Sequence, residues 1–226
     1  MFAVFKKEIK SYFLTPVGYI FIGLFMTVVS FIFYVYTFSQ HYINFEYVLW
    51  DSLIVLTFIT PVLTMRMFAE EKKNGTDQLL MTSPRSITSI VLGKFFAACS
   101  VIVVTMILFF TYFAILKYFG NPSLVVALVT SLGFFLLAMA YISFGMFASS
   151  ITENQIVAAI IPIGFFLIIG FLQANNGFLA MISLLDMFDK FPLGIISLKE
   201  VVGYLSFSLL FILLTIIVLQ RRKSVK

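Results

Sequence analysis

Five stretches of this chain carry no charged residue over lengths typical of segments that cross a lipid bilayer. They are residues 11–40, 95–116, 118–152, 154–185 and 201–220, with 30, 22, 35, 32 and 20 positions. A helix needs about 20 consecutive apolar residues to cross the hydrocarbon core. A water-soluble domain of this size could not bury so much apolar surface, because its surface area is large relative to its volume. The sequence therefore predicts an integral membrane protein of the all-α class.

The composition excludes several other classes of protein. Hydrophobic residues make up 62% of the chain and charged residues 11%, whereas soluble domains have roughly 45–50% and 25%. The net charge of +5 is too small to indicate a nucleic-acid partner and is better explained by membrane topology. A soluble enzyme, a disordered chain and a nucleic-acid-binding protein are therefore not expected.

A sixth span is predicted between Asp51 and Arg66, although only 14 residues there are uncharged. Tyr47 and Trp50 at one end, and the long side chain of Arg66 at the other, can complete it at the membrane interfaces. With six transmembrane helices and both termini on one side, that side holds 12 of the 15 Lys and Arg residues. Both termini are therefore expected in the cytoplasm, and residues 1–226 form a single transmembrane domain.

The first residues of the chain, 1–15, are predicted to form an amphipathic helix at the membrane interface. Lysines surround its apolar side chains, which fall on one arc at helical spacing. These apolar residues are Phe2, Phe5, Ile9, Tyr12 and Phe13. Pro16 should end or kink this helix where the first span begins.

The segment 66–94, between the second and third spans, is predicted to be a cytoplasmic loop with its own short helix. It carries eight of the protein's charges in 29 residues, far more than a simple connector needs. Gly75 is placed to end the helix that leaves the second span. Thr76 is placed to cap the next turn, and the negative charge of Asp77 suits the positive N-terminal end of that turn. The pair Ser83-Pro84 predicts the cap and first residue of the third span's helix.

Three apolar residues, Leu79, Leu80 and Met81, follow in this polar loop. They could rest against the membrane face, or they could enter a groove on a cytoplasmic partner. The residues alone favour neither alternative.

The other long connector, residues 173–200, is predicted on the outer side. Its apolar stretch Phe178–Leu185 is only eight residues long and too short to span a membrane. A re-entrant or interfacial helix is therefore expected there.

Candidate catalytic, metal-ligating and nucleotide-binding residues are missing. His41 is the only histidine, and Asp186 with Asp189 lacks a second pair of ligands. Gly93-Lys94 is followed by Phe95 where a phosphate-binding loop needs Ser or Thr. Neither catalysis, nor a metal site, nor a cofactor site is expected in this chain, and any ATP must be bound by another chain.

Three features inside the predicted spans concern packing. Cys99 is expected to act as a small hydrophobe, and Pro61 and Pro162 to kink the second and fifth spans. Gly145 and Ser149, four residues apart, would allow two helices to approach closely.

The loop sequence from Met67 to Pro84, MFAEEKKNGTDQLLMTSP, resembles the first cytoplasmic loop of type 2 ABC transporter permeases. Members of that family show an acidic-basic run, Gly-Thr, an acidic or amide residue, Leu-Leu and then Ser-Pro or Thr-Pro. The motif Phe191-Pro192-x-Gly194-Ile195-Ile196-x-Leu198, the pair Arg221-Arg222 and the opening with Thr15-Pro16 are similar to the same family. The closest resemblance is to gliding-motility-associated permeases, although residues 186–191 depart from the usual Ser/Thr-Pro and histidine.

The resemblance implies a six-span exporter permease of the cytoplasmic membrane. It would dimerise with a second copy or a sister permease and bind two copies of a cytoplasmic ATPase, which would hold the ATP and Mg²⁺. The coupling helix would lie within Gly75–Pro84. The residues implied in coupling are Glu70, Glu71, Gly75, Thr76, Asp77, Gln78, Leu79, Leu80, Met81 and Pro84. The substrate is not determined, and a non-transporting membrane scaffold that anchors cytoplasmic partners is the alternative.

Overall fold

The computed structural model describes residues 1–39, 44–76, 86–173 and 183–225, and every regular element within those ranges is helical. The helices are α1 (Phe2–Leu14), α2 (Pro16–Tyr34), α3 (Phe45–Thr64), α4 (Ala69–Lys73), α5 (Ile87–Phe119), α6 (Leu124–Ile151), α7 (Gln155–Gln173) and α8 (Leu198–Val225). A π-helical turn, Val35–Ser39, follows α2, and two short 3₁₀ helices, Asp186–Phe188 and Phe191–Leu193, precede α8.

Five of the described segments are long and apolar enough to cross a membrane. They are Pro16–Phe38, Phe45–Lys73, Ile87–Phe119, Leu124–Ile151 and Leu198–Arg222. A shorter apolar helix, Gln155–Phe171, lies where the fifth of six spans is expected. The predicted all-helical membrane architecture is therefore confirmed, while the count of six spans stays a prediction.

The break between α1 and α2 has a local cause. Thr15 has an extended backbone, with φ −94° and ψ 159°, and Pro16 is the first residue of α2. Proline disfavours helical geometry in the residue before it and suits the first turn of a helix. The helix predicted over the first residues therefore ends at Leu14, and its position at a membrane interface stays a prediction.

Helix α6 lies at the centre of the bundle, where it contacts α3, α5, α7 and α8. In the most apolar stretch of 18 residues in α6, 67% of the residues are buried, whereas 28% are buried in the corresponding stretch of α8. A hydrogen bond of 3.2 Å from the Thr57 hydroxyl to Tyr141 joins α3 to α6 inside the bundle. The outward faces of α2 and α8 expose large apolar side chains such as Phe31 and Leu209, as expected of surfaces that face lipid.

The loop between the second and third predicted spans differs from expectation at both ends. Helix α3 ends at Thr64, and the chain turns through residues 65–68 before the single turn of α4. The placement of Ser83 and Pro84 at the start of the third span's helix is wrong. That helix begins at Ile87 and its cap is Ser86, whose hydroxyl accepts a 3.3 Å hydrogen bond from the Ser89 amide.

On the opposite side of the bundle, residues 183–197 fold into a compact cap. Phe188 and Phe191 are fully buried, and the Tyr204 hydroxyl donates a 2.6 Å hydrogen bond to the Leu184 carbonyl. Burial, with a further contribution from the Asp186 charge, raises the pKa of Asp189 in this cap. Most of the predicted re-entrant stretch, Phe178–Leu185, lies outside the described residues.

The cap packs against α6 at a glycine. A Cβ atom added at Gly133 would lie 2.4 Å from the ring of Phe191, and the Thr130 hydroxyl donates to the Phe191 carbonyl at 3.2 Å. Since both the ring and the backbone of Phe191 are held, the ring has little room to move aside. Only glycine fits at position 133 without displacing the cap.

We expect Gly133→Ala to lower the free energy of unfolding by about 1–3 kcal/mol, because it overpacks a closed site. Gly164→Ala is the matched control, since a Cβ there meets nothing within 4 Å, and it should be neutral or slightly stabilising because alanine favours the helix. Thermal unfolding of both variants in detergent measures the difference. Equal stabilities would show that Phe191 does not pack on α6 in this way.

Candidate functional site

Only some of the residues predicted to couple this chain to a partner lie within the described structure. Glu70, Glu71, Gly75 and Thr76 lie within it. The others lie outside the described residues, namely Asp77, Gln78, Leu79, Leu80, Met81 and Pro84. The described part, residues 66–76, is called the loop base below.

The loop base ends in a tight turn. The amide of Gly75 donates to the Lys72 carbonyl at 3.0 Å, and Gly75 has a φ of +69°, which side chains with a Cβ rarely adopt. The Thr76 hydroxyl donates a 3.1 Å hydrogen bond back to the Glu71 carbonyl. Gly75 therefore follows α4 as its terminating residue, and Thr76 closes the turn.

A reciprocal pair of caps joins α4 to the end of α6. The Ser149 hydroxyl of α6 accepts hydrogen bonds from the amides of Phe68 and Ala69, at 3.1 and 3.0 Å. These amides open α4 and have no partner within the helix itself. Ser149 also donates to the Met65 carbonyl at 3.1 Å. One side chain of α6 thus fixes the backbone at the start of α4.

The second cap runs in the other direction. The buried ammonium group of Lys72, on α4, donates to the carbonyl of Ser150 and lies 3.5 Å from that of Thr152. The last carbonyls of a helix carry partial negative charge, so a cation there is stabilising. We name the two contacts together the α4–α6 double cap.

The helices approach closely beside the double cap. A Cβ atom added at Gly145 would lie 2.3 Å from the Thr64 hydroxyl oxygen, so α3 and α6 touch here without room for a larger residue. Gly145 and Ser149, which the sequence singled out for helix packing, thus both face the end of α3 and the loop base within the same chain.

A buried lysine forms the other anchor of the loop base. Lys94 lies in α5 with its side chain 3% exposed, and its ammonium group pairs with Glu8 of α1 at 3.2 Å and with Glu71 of α4 at 2.9 Å. It also stands 5.3 Å from the centre of the Phe68 ring. Two carboxylates and one ammonium group, from three separate helices, meet at this point. We name this group the Lys94 cluster.

Two further contacts hold α1 against the bundle. The Tyr12 hydroxyl donates to the Leu63 carbonyl at 3.2 Å, and a Cβ atom added at Gly93 would lie 3.0 Å from Val4. Helix α1 is therefore docked on α3 and α5 by packing as well as by the Glu8–Lys94 ion pair.

A cleft of about 660 Å³ separates α1 from the loop base. Charges of both signs line it: Lys7, Arg66, Lys94, Glu8, Glu70 and Glu71. Arg66 and Glu70 pair at 3.8 Å with both side chains about 40% exposed, an arrangement that contributes little to stability. The mixed charge does not define a site for an anion or a cation, but the open volume leaves space for the loop base to move relative to α1.

Sequence reasoning found the loop but missed the residues that anchor it. In the sequence, Lys72 and Lys94 stand out only as charges of the segment 66–94 and, for Lys94, as part of an incomplete phosphate-binding motif, and Glu8 does not stand out at all. One signal of a buried lysine is present in the sequence. Lys94 directly precedes a charge-free run, and both lie in the single 33-residue helix α5. A lysine in such a helix requires a partner when it is buried.

The family model described as "ABC-2 family transporter protein" matches residues 52–219, well over half of the chain. The match begins within α3, includes the loop base and ends within α8. A comparison with curated proteins finds no match.

We expect Ser149→Ala to lower the free energy of unfolding by roughly 2–4 kcal/mol, because it leaves two buried amides of α4 without an acceptor. The matched control is Ser150→Ala, since within the described residues that hydroxyl bonds only to the Phe147 carbonyl of its own helix. Thermal unfolding and protease accessibility of the loop base measure the effect. If the two variants were equally stable, the proposed capping of α4 by α6 would be contradicted.

Proposed function

The chain belongs to the ABC-2 family of transporter proteins, and we propose that it is the membrane-spanning permease subunit of an ABC exporter. Family membership and the five apolar helices make it a multi-pass membrane protein. Permeases of this family generally work with an ATPase subunit. The energy for transport would therefore come from ATP that a separate cytoplasmic chain binds and hydrolyses.

The observation that supports this proposal best is how the loop base joins the membrane helices. The double cap fixes it to α6, the helix at the centre of the bundle, and Lys94 ties it to α5. A force applied to the loop would therefore reach two transmembrane helices through hydrogen bonds and an ion pair. A passive connector has no need of such anchors.

In this proposal, the ATPase contacts the loop between α4 and α5. Glu70, Glu71, Gly75 and Thr76 set the position of the loop, and Asp77, Gln78 and Pro84 flank the apolar anchor Leu79, Leu80 and Met81. The functional assembly would contain two ATPase subunits and two permeases, the second being another copy or a sister chain. The direction is outward, and charge-free spans favour an apolar or amphipathic substrate.

The proposed topology has six spans, with α7 as the fifth and both termini in the cytoplasm. We expect a cysteine at position 74 to be labelled only from the cytoplasmic side, and one at position 176 from outside. Cys99→Ala supplies the background, because it removes the only native cysteine. Membrane-impermeant maleimide on intact cells and on inverted vesicles measures both. Outside labelling of position 74, or protection of position 176 in intact cells, would contradict this topology.

We expect Leu80→Asp to abolish co-purification of the ATPase and also transport, because it places an unpaired charge in an apolar contact worth about 2 kcal/mol or more. Membrane insertion should be normal. Glu71→Gln should weaken assembly only mildly, because its carboxylate pairs with Lys94 of the same chain and so affects the ATPase contact only through the position of the loop. Leu193→Asp is the matched control, because Leu193 is an exposed leucine of the cap on the opposite side of the bundle.

A further outcome separates the transporter from the scaffold. The purified chain alone should not hydrolyse ATP, and the assembled complex should. If Leu79, Leu80 and Met81 could all become aspartate without weakening the complex, the loop would not be the coupling element, and the scaffold function would be favoured.

A further inference from the structure

Lys94 holds two carboxylates that belong to different parts of the molecule. Glu8 comes from α1 and Glu71 from the loop base, and their side chains are 13% and 18% exposed. Two carboxylates beside one ammonium group repel each other, so each weakens the other's hold on the lysine. From this geometry we propose that Glu8 and Glu71 compete for Lys94. When Lys94 binds Glu71 of the loop base, its hold on α1 weakens, and when it binds Glu8 of α1, its hold on the loop base weakens.

The cleft supplies the second requirement for such coupling. It lies between α1 and the loop base, with Glu8 on one wall, Glu71 on the other and Lys94 also on its lining. The loop base can therefore shift across an open volume without first displacing α1. Were the two elements packed directly together, they would move as one body and no competition would arise.

Glu71 can leave Lys94 with little loss of other contacts, although its contact with Lys94 is the shorter of the two. Its Oε1 atom meets Lys94, whereas its Oε2 atom is buried and has no hydrogen-bond partner in the described part of the chain. A buried polar atom without a partner is unfavourable, so Glu71 gives up few contacts when it moves. Lys94 stays paired with Glu8 in that event, which avoids a buried unpaired charge.

The consequence is a reciprocal linkage. When the loop base withdraws Glu71 from the cluster, Lys94 binds Glu8 more tightly and α1 docks more firmly. When Glu71 returns, the hold on α1 weakens. Since linkage between two sites is symmetric, firmer docking of α1 also favours withdrawal of the loop base. Lys94 is a positioning residue in this scheme.

Trypsin cleavage of α1 tests the proposal on the full chain in lipid nanodiscs, without an ATPase. Helix α1 contains Lys6, Lys7 and Lys10, and cleavage there requires it to undock and open, so the rate follows the open population. The appearance of fragments that begin at residue 11 is followed by mass spectrometry. Glu71→Gln should slow this cleavage by about threefold, and Glu8→Gln should accelerate it by about threefold or more.

Glu70→Gln is the matched control, because it removes the neighbouring carboxylate, which pairs with Arg66 and not with Lys94, and it should leave the rate unchanged. Lys94→Met should accelerate cleavage at least as much as Glu8→Gln. Should Lys94→Met fail to fold, the comparison of Glu71→Gln with Glu70→Gln still decides. Faster or unchanged cleavage in Glu71→Gln would overturn the competition, because a purely structural cluster is weakened by the loss of any member.

This inference rests on the proposed function only for its purpose, since the linkage would let the ATPase-driven loop adjust α1. The nanodisc experiment contains no ATPase, so absence of an ATPase partner would refute the proposed function and leave the Glu71→Gln result intact. Conversely, a chain that assembles with an ATPase but shows no slowing in Glu71→Gln would keep its function and lose the linkage.

Discussion

The ends of the helices pose the physical problem on which the rest of this structure depends. A transmembrane helix satisfies its own backbone along its length but leaves four amides and four carbonyls without partners at its two ends. In this chain, the end of α6 and the start of α4 meet and satisfy one another through Ser149 and Lys72. The position of the loop base follows from that exchange, and so does the close contact of Gly145 with Thr64.

The Lys94 cluster solves a related problem for a side chain. An ammonium group that is 3% exposed is unfavourable unless it is paired, and Lys94 pairs with one carboxylate of α1 and one of the loop base. The charge therefore recruits α1 to the bundle. Glu8 and Tyr12 of α1 give this helix specific partners in the protein.

The parts that could be predicted from the sequence are those with local causes. Pro16 breaks the chain between α1 and α2, Gly75 follows α4 with a positive φ, and charge-free runs become long apolar helices. The start of α5 was misplaced because Ser83 and Ser86 offer the same local chemistry, and the sequence contains no measure of which one caps the helix. The candidate site is even harder to predict from the sequence. Ser149 and Lys72 act on partners about 80 positions away, and no periodic pattern encodes such a pairing.

That separation along the chain has a consequence for biosynthesis. Ser149 follows the amides it caps by 81 and 80 residues, so the ribosome needs several seconds, at about 5–20 residues per second, to make the acceptor after the donors have emerged. During that interval the first amides of α4 lack the acceptor that they have in the folded chain. The loop base is completed only when the fourth predicted span has been synthesised and inserted. A nascent chain therefore completes the capping of its loop base late, after most of its predicted membrane helices have been made.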